Sequence, residues 1–316
     1  MNKYIAKILV TGGAGNVGGA LAEAFVNDPS FFVVVVDNLR TGSLEKLPGS
    51  SNNNFRFIKA DVNNLSDLSS VMLSWHFDYV FHYAALVGVK KTLAHPIEVL
   101  NDIDGIRNVL NLSKNTGVKR VFFSSSSEVY GEPVEFPQNE QTTPLNSRLP
   151  YAIVKNVAEA FFRSYQKEYG LDYTIFRFFN TYGPKQSNDF VVSKFIDLAL
   201  KNEPITLHGD GNQTRTFCYI DDNIEATMRI FSENLFVNDI VNLGSHIETR
   251  IIDLARKVLQ ITGSKSPIVH LPPLEEGDMT RRLPDNTKML SILNRDLIPL
   301  EEGIRKVLKI RFGKEF

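Results

Sequence analysis

Residues Phe31-Phe32-Val33-Val34-Val35-Val36 form an apolar run with no polar residue to turn toward water. A strand points successive side chains to opposite faces, so such a run needs cover on both, the condition of a parallel sheet wrapped by helices. The first half of the chain repeats the theme. Short apolar stretches at 5–10, 55–59, 79–82 and 121–125 alternate with helix-like stretches at 18–26, 65–74 and 99–115. This alternation predicts an α/β fold built on a doubly wound parallel sheet.

Further helices are predicted over 152–168 and 192–201, each ended by a breaker region, with a strand at 173–178 between them. Beyond Asn180 the alternation weakens, and Gly183-Pro184, Gly209-Asp210-Gly211 and Pro272-Pro273 interrupt the chain. We therefore expect a dinucleotide-type domain over residues 1–179, and a smaller, partly interleaved C-terminal α/β domain over 180–316. A segment near 212–235 is expected to return to the first domain.

Composition excludes several functions. With 35 Lys+Arg against 36 Asp+Glu, the net charge of −1 gives no basic field for nucleic acid or anionic lipid. A single cysteine, Cys218, forms neither an internal disulfide nor a multi-thiolate metal site, so no metal is expected. No stretch has the roughly 18 apolar residues of a membrane span, and the expectation is a cytoplasmic protein.

Between the first strand and the first helix lies Thr11-Gly12-Gly13-Ala14-Gly15-Asn16-Val17-Gly18-Gly19. Glycines there let backbone approach a pyrophosphate, and the amino end of the following helix attracts the anion. The second strand ends in Asp37, placed for the adenosine ribose hydroxyls. Its charge would repel a 2′-phosphate, which favours NAD over NADP; Arg40 is the nearby counterweight. The sheet is therefore of Rossmann type. A second constellation is Tyr151-Ala152-Ile153-Val154-Lys155: at i and i+4 on a helix both side chains share a face, so the ammonium can favour a tyrosine phenolate. Upstream, Ser124-Ser125-Ser126-Ser127-Glu128 closes a predicted strand at its carboxyl end, where ligands bind in open α/β sheets.

Together Thr11-Gly12-x-x-Gly15-x-x-Gly18, Asp37, Asp61-Val62, His82-Tyr83-Ala84-Ala85, Asn101, the serine cluster and Tyr151-x-x-x-Lys155 resemble the extended short-chain dehydrogenase/reductase family, specifically its nucleotide-sugar epimerases and dehydratases. The resemblance spans nearly the whole chain. It implies a tightly held NAD that takes hydride from the sugar C4, leaving a 4-keto sugar. Carried over residue by residue, it implies Tyr151 as catalytic base, Lys155 as its tuning partner on the nicotinamide ribose, and Ser126 as the hydroxyl partner. Gly12, Gly15, Asn16, Val17, Gly18, Asp37, Asn38, Asp61, Val62, Ala84 and Ala85 fall at cofactor positions. Asn101 falls at a structural position between strand and cofactor, and His82 at a packed one. The resemblance also assigns Asn180, Arg215, Asp278 and Arg281 or Arg282 to the substrate diphosphate segments and His208 to a place beside the base. Glu275 stands where many 4-epimerases have an arginine. Relatives commonly form homodimers through two helices, here about 99–115 and 152–168.

The reaction after C4 oxidation is left open. Glu128 and Phe179-Asn180-Thr181-Tyr182-Gly183-Pro184 lean toward UDP-glucuronate decarboxylases, whereas Ala84-Ala85-Leu86-Val87-Gly88-Val89 and Gly277-Asp278 lean toward 4-epimerases. Ser127 stands where 4,6-dehydratases usually carry an aspartate acid. The expectation is a UDP-sugar 4-epimerase, with a UDP-glucuronate decarboxylase as the alternative, then a 4,6-dehydratase, and a non-catalytic NAD-binding regulator as a distant one.

Overall fold

The computed structural model describes residues 4–49, 51–132, 134–273, 281–313 and 315. In chain order the first half runs β1 (Ala6–Thr11), α1 (Asn16–Val26), β2 (Phe31–Asp37), β3 (Phe55–Lys59), α2 (Leu65–Trp75), β4 (Tyr79–His82), α3 (Val89–Ala94), α4 (Pro96–Leu100), α5 (Asp102–Thr116), β5 (Arg120–Ser126), α6 (Pro150–Tyr169) and β6 (Asp172–Phe178). The rest comprises β7 (Thr181–Tyr182), α7 (Val191–Leu200), β8 (Ile205–His208), β9 (Thr214–Thr216), β10 (Cys218–Tyr219), α8 (Ile220–Ser232), β11 (Asp239–Leu243), β12 (Glu248–Arg250), α9 (Ile251–Thr262), β13 (Ile268–Leu271), α10 (Thr287–Leu293) and α11 (Leu300–Phe312).

Seven strands form one sheet in the order β11-β6-β5-β4-β1-β2-β3. The pairs β3–β2, β2–β1, β1–β4 and β4–β5 are all parallel. Chain order reverses at β1, with β2 on one side and β4 on the other, so the crevice at their carboxyl ends is the topological switch point where such sheets bind ligands. The apolar run has the predicted reason: Val33, Val34, Val35 and Val36 have no exposed surface. Each such burial stabilises the fold by roughly 1.5–3 kcal/mol. On one face Phe81 stacks on Phe122 at 4.3 Å and Phe122 on Phe176 at 6.1 Å, with Phe25 of α1 against Phe81 at 5.1 Å.

The helices start and stop where local chemistry directs. Asn64 caps α2, its side-chain oxygen accepting from the Ser66 and Asp67 amides, and α6 opens with Pro150, whose missing N–H costs nothing there. Gly117 ends α5 at φ 78° and Gly170 ends α6 at φ 68°, left-handed positions that favour glycine. The single helix expected over 99–115 is two: α4 ends at Leu100 and α5 restarts at Asp102, with Asn101 between them. The wholly buried Val99 belongs to the earlier helix, so apolar spacing alone ran across the junction.

The chain divides into two compact units. One holds Met1–Val129, Ser147–Arg177 and Thr227–Val241; the other holds Tyr130–Asn146, Phe178–Ala226 and Asn242–Phe316. Within the second, residues 130–146 are tied to the late chain: the Gln138 amide donates to the Leu283 carbonyl at 2.7 Å. The Asn242 side-chain amide donates to the Gln138 and Asp285 carbonyls at 2.9 and 3.1 Å. These long-range hydrogen bonds carry no local sequence signal.

Candidate active site

In the first unit the glycine loop leaves β1 and turns into α1. A Cβ at Gly12 would lie 2.5 Å from the Ala84 amide nitrogen, and φ is +71°. The loops after β1 and β4 therefore meet backbone to backbone at the switch point. A Cβ at Gly18 would lie 2.4 Å from the Gly12 carbonyl oxygen, so only hydrogen fits there too. Gly15 caps α1 without a side-chain hydrogen bond, and the first turn carries no acidic residue. The amino-terminal N–H groups thus face a site suited to an anion. Asn16 opens the helix with a buried side-chain oxygen that has no partner among the described residues, and Val17 follows it in the first turn.

The carboxylates behind this loop are preset by backbone. Asp37 accepts from the Ala14 amide at 3.0 Å and the Leu39 amide at 2.8 Å. Each oxygen keeps a second lone pair for a ribose hydroxyl. Asn38 donates to Asp61 at 3.0 Å, and Asp61 accepts from the Asn63 amide at 2.9 Å, which joins the ends of β2 and β3 in one network. Val62 beside it is buried. Arg40 pairs with Glu98 of α4. This cradle of glycine backbone, free helix amides and a fixed acid fits the dinucleotide.

The catalytic candidates are built on α6 and β5. Lys155 is buried, its Nζ donating to the Ser124 carbonyl at 2.6 Å and lying 5.7 Å from the centre of the Tyr151 ring. The i, i+4 pairing is thus realised. Burial holds the Lys155 ammonium down to about 8, against the opposing pull of Asp102 and Glu159. Ser126 is half-buried and its hydroxyl oxygen accepts from the Glu128 amide at 3.2 Å, so Glu128 reaches this centre through its backbone. His82 is packed: Nδ1 lies 2.8 Å from the Thr11 hydroxyl, and burial pushes the ring down to about 3, leaving it neutral.

Asn101 is exposed at the α4–α5 junction. The residue reaching back to the loop after β4 is its neighbour Asp102, which accepts from the Leu86 amide at 2.8 Å. Sequence reading passed over Asp102, and also over Glu159, which lies a further turn along the face of Tyr151 and Lys155. The i, i+4, i+8 spacing is the signal that could have shown Glu159.

The substrate-side candidates lie in the second unit. Asn180 has φ +37° and a buried side-chain nitrogen without a partner among the described residues, a group placed to donate. Arg215 is buried on β9, donating to the Thr214 carbonyl at 2.7 Å. His208 is at the end of β8 with Nδ1 3.1 Å from the Pro272 carbonyl. Arg281 forks onto both oxygens of Glu248 at 2.7 and 2.6 Å and covers the Phe136 ring at 4.3 Å, while Arg282 next to it is buried. Asp278 and Glu275 lie outside the described residues. Among the described residues no cluster of His, Cys, Asp or Glu is arranged to hold a metal, and no helix is long and apolar enough to cross a membrane.

Comparison with known proteins adds to this geometry. The sequence model of the NAD dependent epimerase/dehydratase family matches residues 8–244. A UDP-glucuronic acid decarboxylase 1 of Xenopus tropicalis is 35% identical, over 98% of this chain and 72% of that protein. The crystal structure of a UDP-glucose 4-epimerase from Thermotoga maritima with UDP-glucose superposes with a TM-score of 0.89 at 32% identity, over 97% of this chain and 98% of that one. A UDP-glucose 4-epimerase of Thermus thermophilus in complex with NAD gives a TM-score of 0.88 at 27% identity, over 97% of this chain and 99% of that one.

Proposed function

Because the chain belongs to the NAD dependent epimerase/dehydratase family, we propose that it acts on a nucleotide-diphosphate sugar as a UDP-sugar 4-epimerase, inverting the C4 hydroxyl through a transient 4-keto sugar. The observation that carries the reading is the Tyr151–Lys155 pair beside the strand end that bears Ser126. Bound NAD supplies reversible two-electron redox chemistry at C4. The chain moves the proton: Tyr151, as phenolate, takes it from the C4 hydroxyl and later returns it. Lys155, charged below about 8, favours that phenolate. The Ser126 hydroxyl holds the sugar oxygen in line. Arg215 and Asn180 are assigned to the diphosphate, for which a guanidinium fork is suited. His208 is assigned to a place beside the base.

Glu128 supports a second reading. A half-buried carboxylate two residues from Ser126 suits a UDP-glucuronate decarboxylase, in which the C5–C6 bond breaks toward the C4 ketone, carbon dioxide leaves, and a proton is delivered to C5. Incubation with UDP-glucose, UDP-N-acetylglucosamine, UDP-glucuronate and dTDP-glucose separately, followed by proton NMR, decides between them. The C4 epimer of one sugar is expected. A UDP-pentose with carbon dioxide overturns the epimerase in favour of the decarboxylase, and a 4-keto-6-deoxy sugar in favour of a 4,6-dehydratase. A homodimer is part of the proposal, with light scattering expected at twice the chain mass of 35.6 kDa.

A further inference from the structure

Glu159 stands one turn beyond Lys155 and two beyond Tyr151 on α6, and none of its surface is exposed. Arg177 of β6, itself 2% exposed, forks onto it: Nε donates to Oε1 at 2.9 Å and Nη2 to Oε2 at 2.7 Å. Arg163 approaches Oε2 from the solvent side at 3.6 Å. The Ser125 hydroxyl donates to Oε1 at 2.6 Å. Desolvating such a pair is costly, and apolar side chains of similar volume would hold a helix on a sheet about as well. What the carboxylate adds is direction, because it fixes the hydroxyl of one particular strand residue. Ser125 lies between Ser124, whose carbonyl holds Lys155, and Ser126. Two side chains of α6, one turn apart, thus hold two successive residues at the carboxyl end of β5.

We propose that Glu159, braced by Arg177, is a positioning residue for the catalytic centre: through the Ser125 hydroxyl it sets the end of β5, and so the placement of Ser126 and the Ser124 carbonyl against Tyr151 and Lys155. It rests on the roles given above to Tyr151, Lys155 and Ser126. Among the described residues, the charged and titratable groups facing Lys155 are Tyr151 and Glu159 of its own helix, Asp102 of α5 and the neutral His82 of β4.

Ser125→Ala removes the link and leaves the buried ion pair intact. The readout is the titration of Lys155 followed by carbon-13 NMR of the lysine ε-carbons, with the Lys155 signal assigned by its loss in Lys155→Arg. With β5 no longer held through this hydroxyl, the Ser124 carbonyl shifts away from the ammonium it accepts from, the charged form loses a partner, and the Lys155 midpoint moves downward from about 8, by about half a pH unit or more. kcat falls about 10- to 100-fold with KM and NAD affinity unchanged, and Ser125→Thr, which restores the hydroxyl, returns both readings toward native. An unmoved midpoint in the folded variant overturns the proposal, as does a moved midpoint with native kcat. The midpoint is read without turnover, so its failure is separate from a failure to find the sugar. Should Ser125→Ala not fold, Ser125→Cys keeps the volume with a weaker donor and is read in the same way.

Discussion

Lys155 shows what a single residue owes to its surroundings. Exposed, it would titrate at the ordinary 10.5; buried against Phe123 and the Ser124 carbonyl it titrates at about 8. Between about 8 and 10.5 the unfolded chain binds the proton more tightly than the fold does, so this group makes stability rise with pH through that window. Melting temperatures of the protein and of Lys155→Met, compared at pH 8 and pH 10, should differ by that slope, the change with pH being more favourable to stability in the former. Catalysis should respond in the opposite sense: as Lys155 loses its charge, kcat declines with a midpoint near 8 on the alkaline limb. Tyr151→Phe should lower kcat roughly 100- to 10,000-fold with NAD affinity kept, measured by turnover and calorimetric titration together. Retained turnover would remove Tyr151 from the proton-transfer role. His82 is the complementary case, its ring held neutral by burial and paired with Thr11, a packing part of the floor beneath the glycine loop.

At the scale of elements, the dinucleotide cradle is a meeting of two loops. Gly12 touches the backbone at Tyr83 and Ala84, so Gly12→Ala must push the β1 and β4 loops apart and strain a left-handed φ. NAD affinity should fall at least tenfold, about 1.4 kcal/mol, as read by calorimetric titration; native affinity would mean that the pyrophosphate does not sit on this turn. The α6–β5–β6 contact depends on a buried charge pair, whose breakage by removal of one partner costs roughly 3–5 kcal/mol. Glu159→Ala should therefore lower the denaturation midpoint sharply, whereas the exposed Lys309–Glu315 pair should contribute little when broken by Lys309→Ala. Urea unfolding of both variants tests the contrast.

For the whole molecule, the choice among reactions turns on a few groups set into a shared frame. The frame accommodates relatives named for decarboxylation and for epimerisation, as expected when function resides in sites carried by a fold. Arg281 is already engaged: with its fork on Glu248, it reaches a second acid only by giving up two hydrogen bonds. Glu248→Gln weakens that hold, and if Arg281 serves the diphosphate the variant should bind UDP more tightly; unchanged affinity would leave the role to its buried neighbour Arg282.

The sheet is legible in the residues alone, because a run such as Phe31–Val36 has no stable place except between two layers. So are the nucleotide loop and the Tyr151–Lys155 pair, because glycine tolerance and i, i+4 spacing are local properties. The remainder depends on contacts between elements far apart in the chain. The helix break at Asn101 leaves no trace in apolar spacing. Asp102 and Glu159 meet Leu86, Ser125 and Arg177 only once distant strands lie side by side. Residues 130–146 join the second unit through hydrogen bonds to residues more than a hundred positions away. Short-range preferences are written in neighbouring residues, whereas the partner of a buried polar group is fixed by which elements the fold brings into contact.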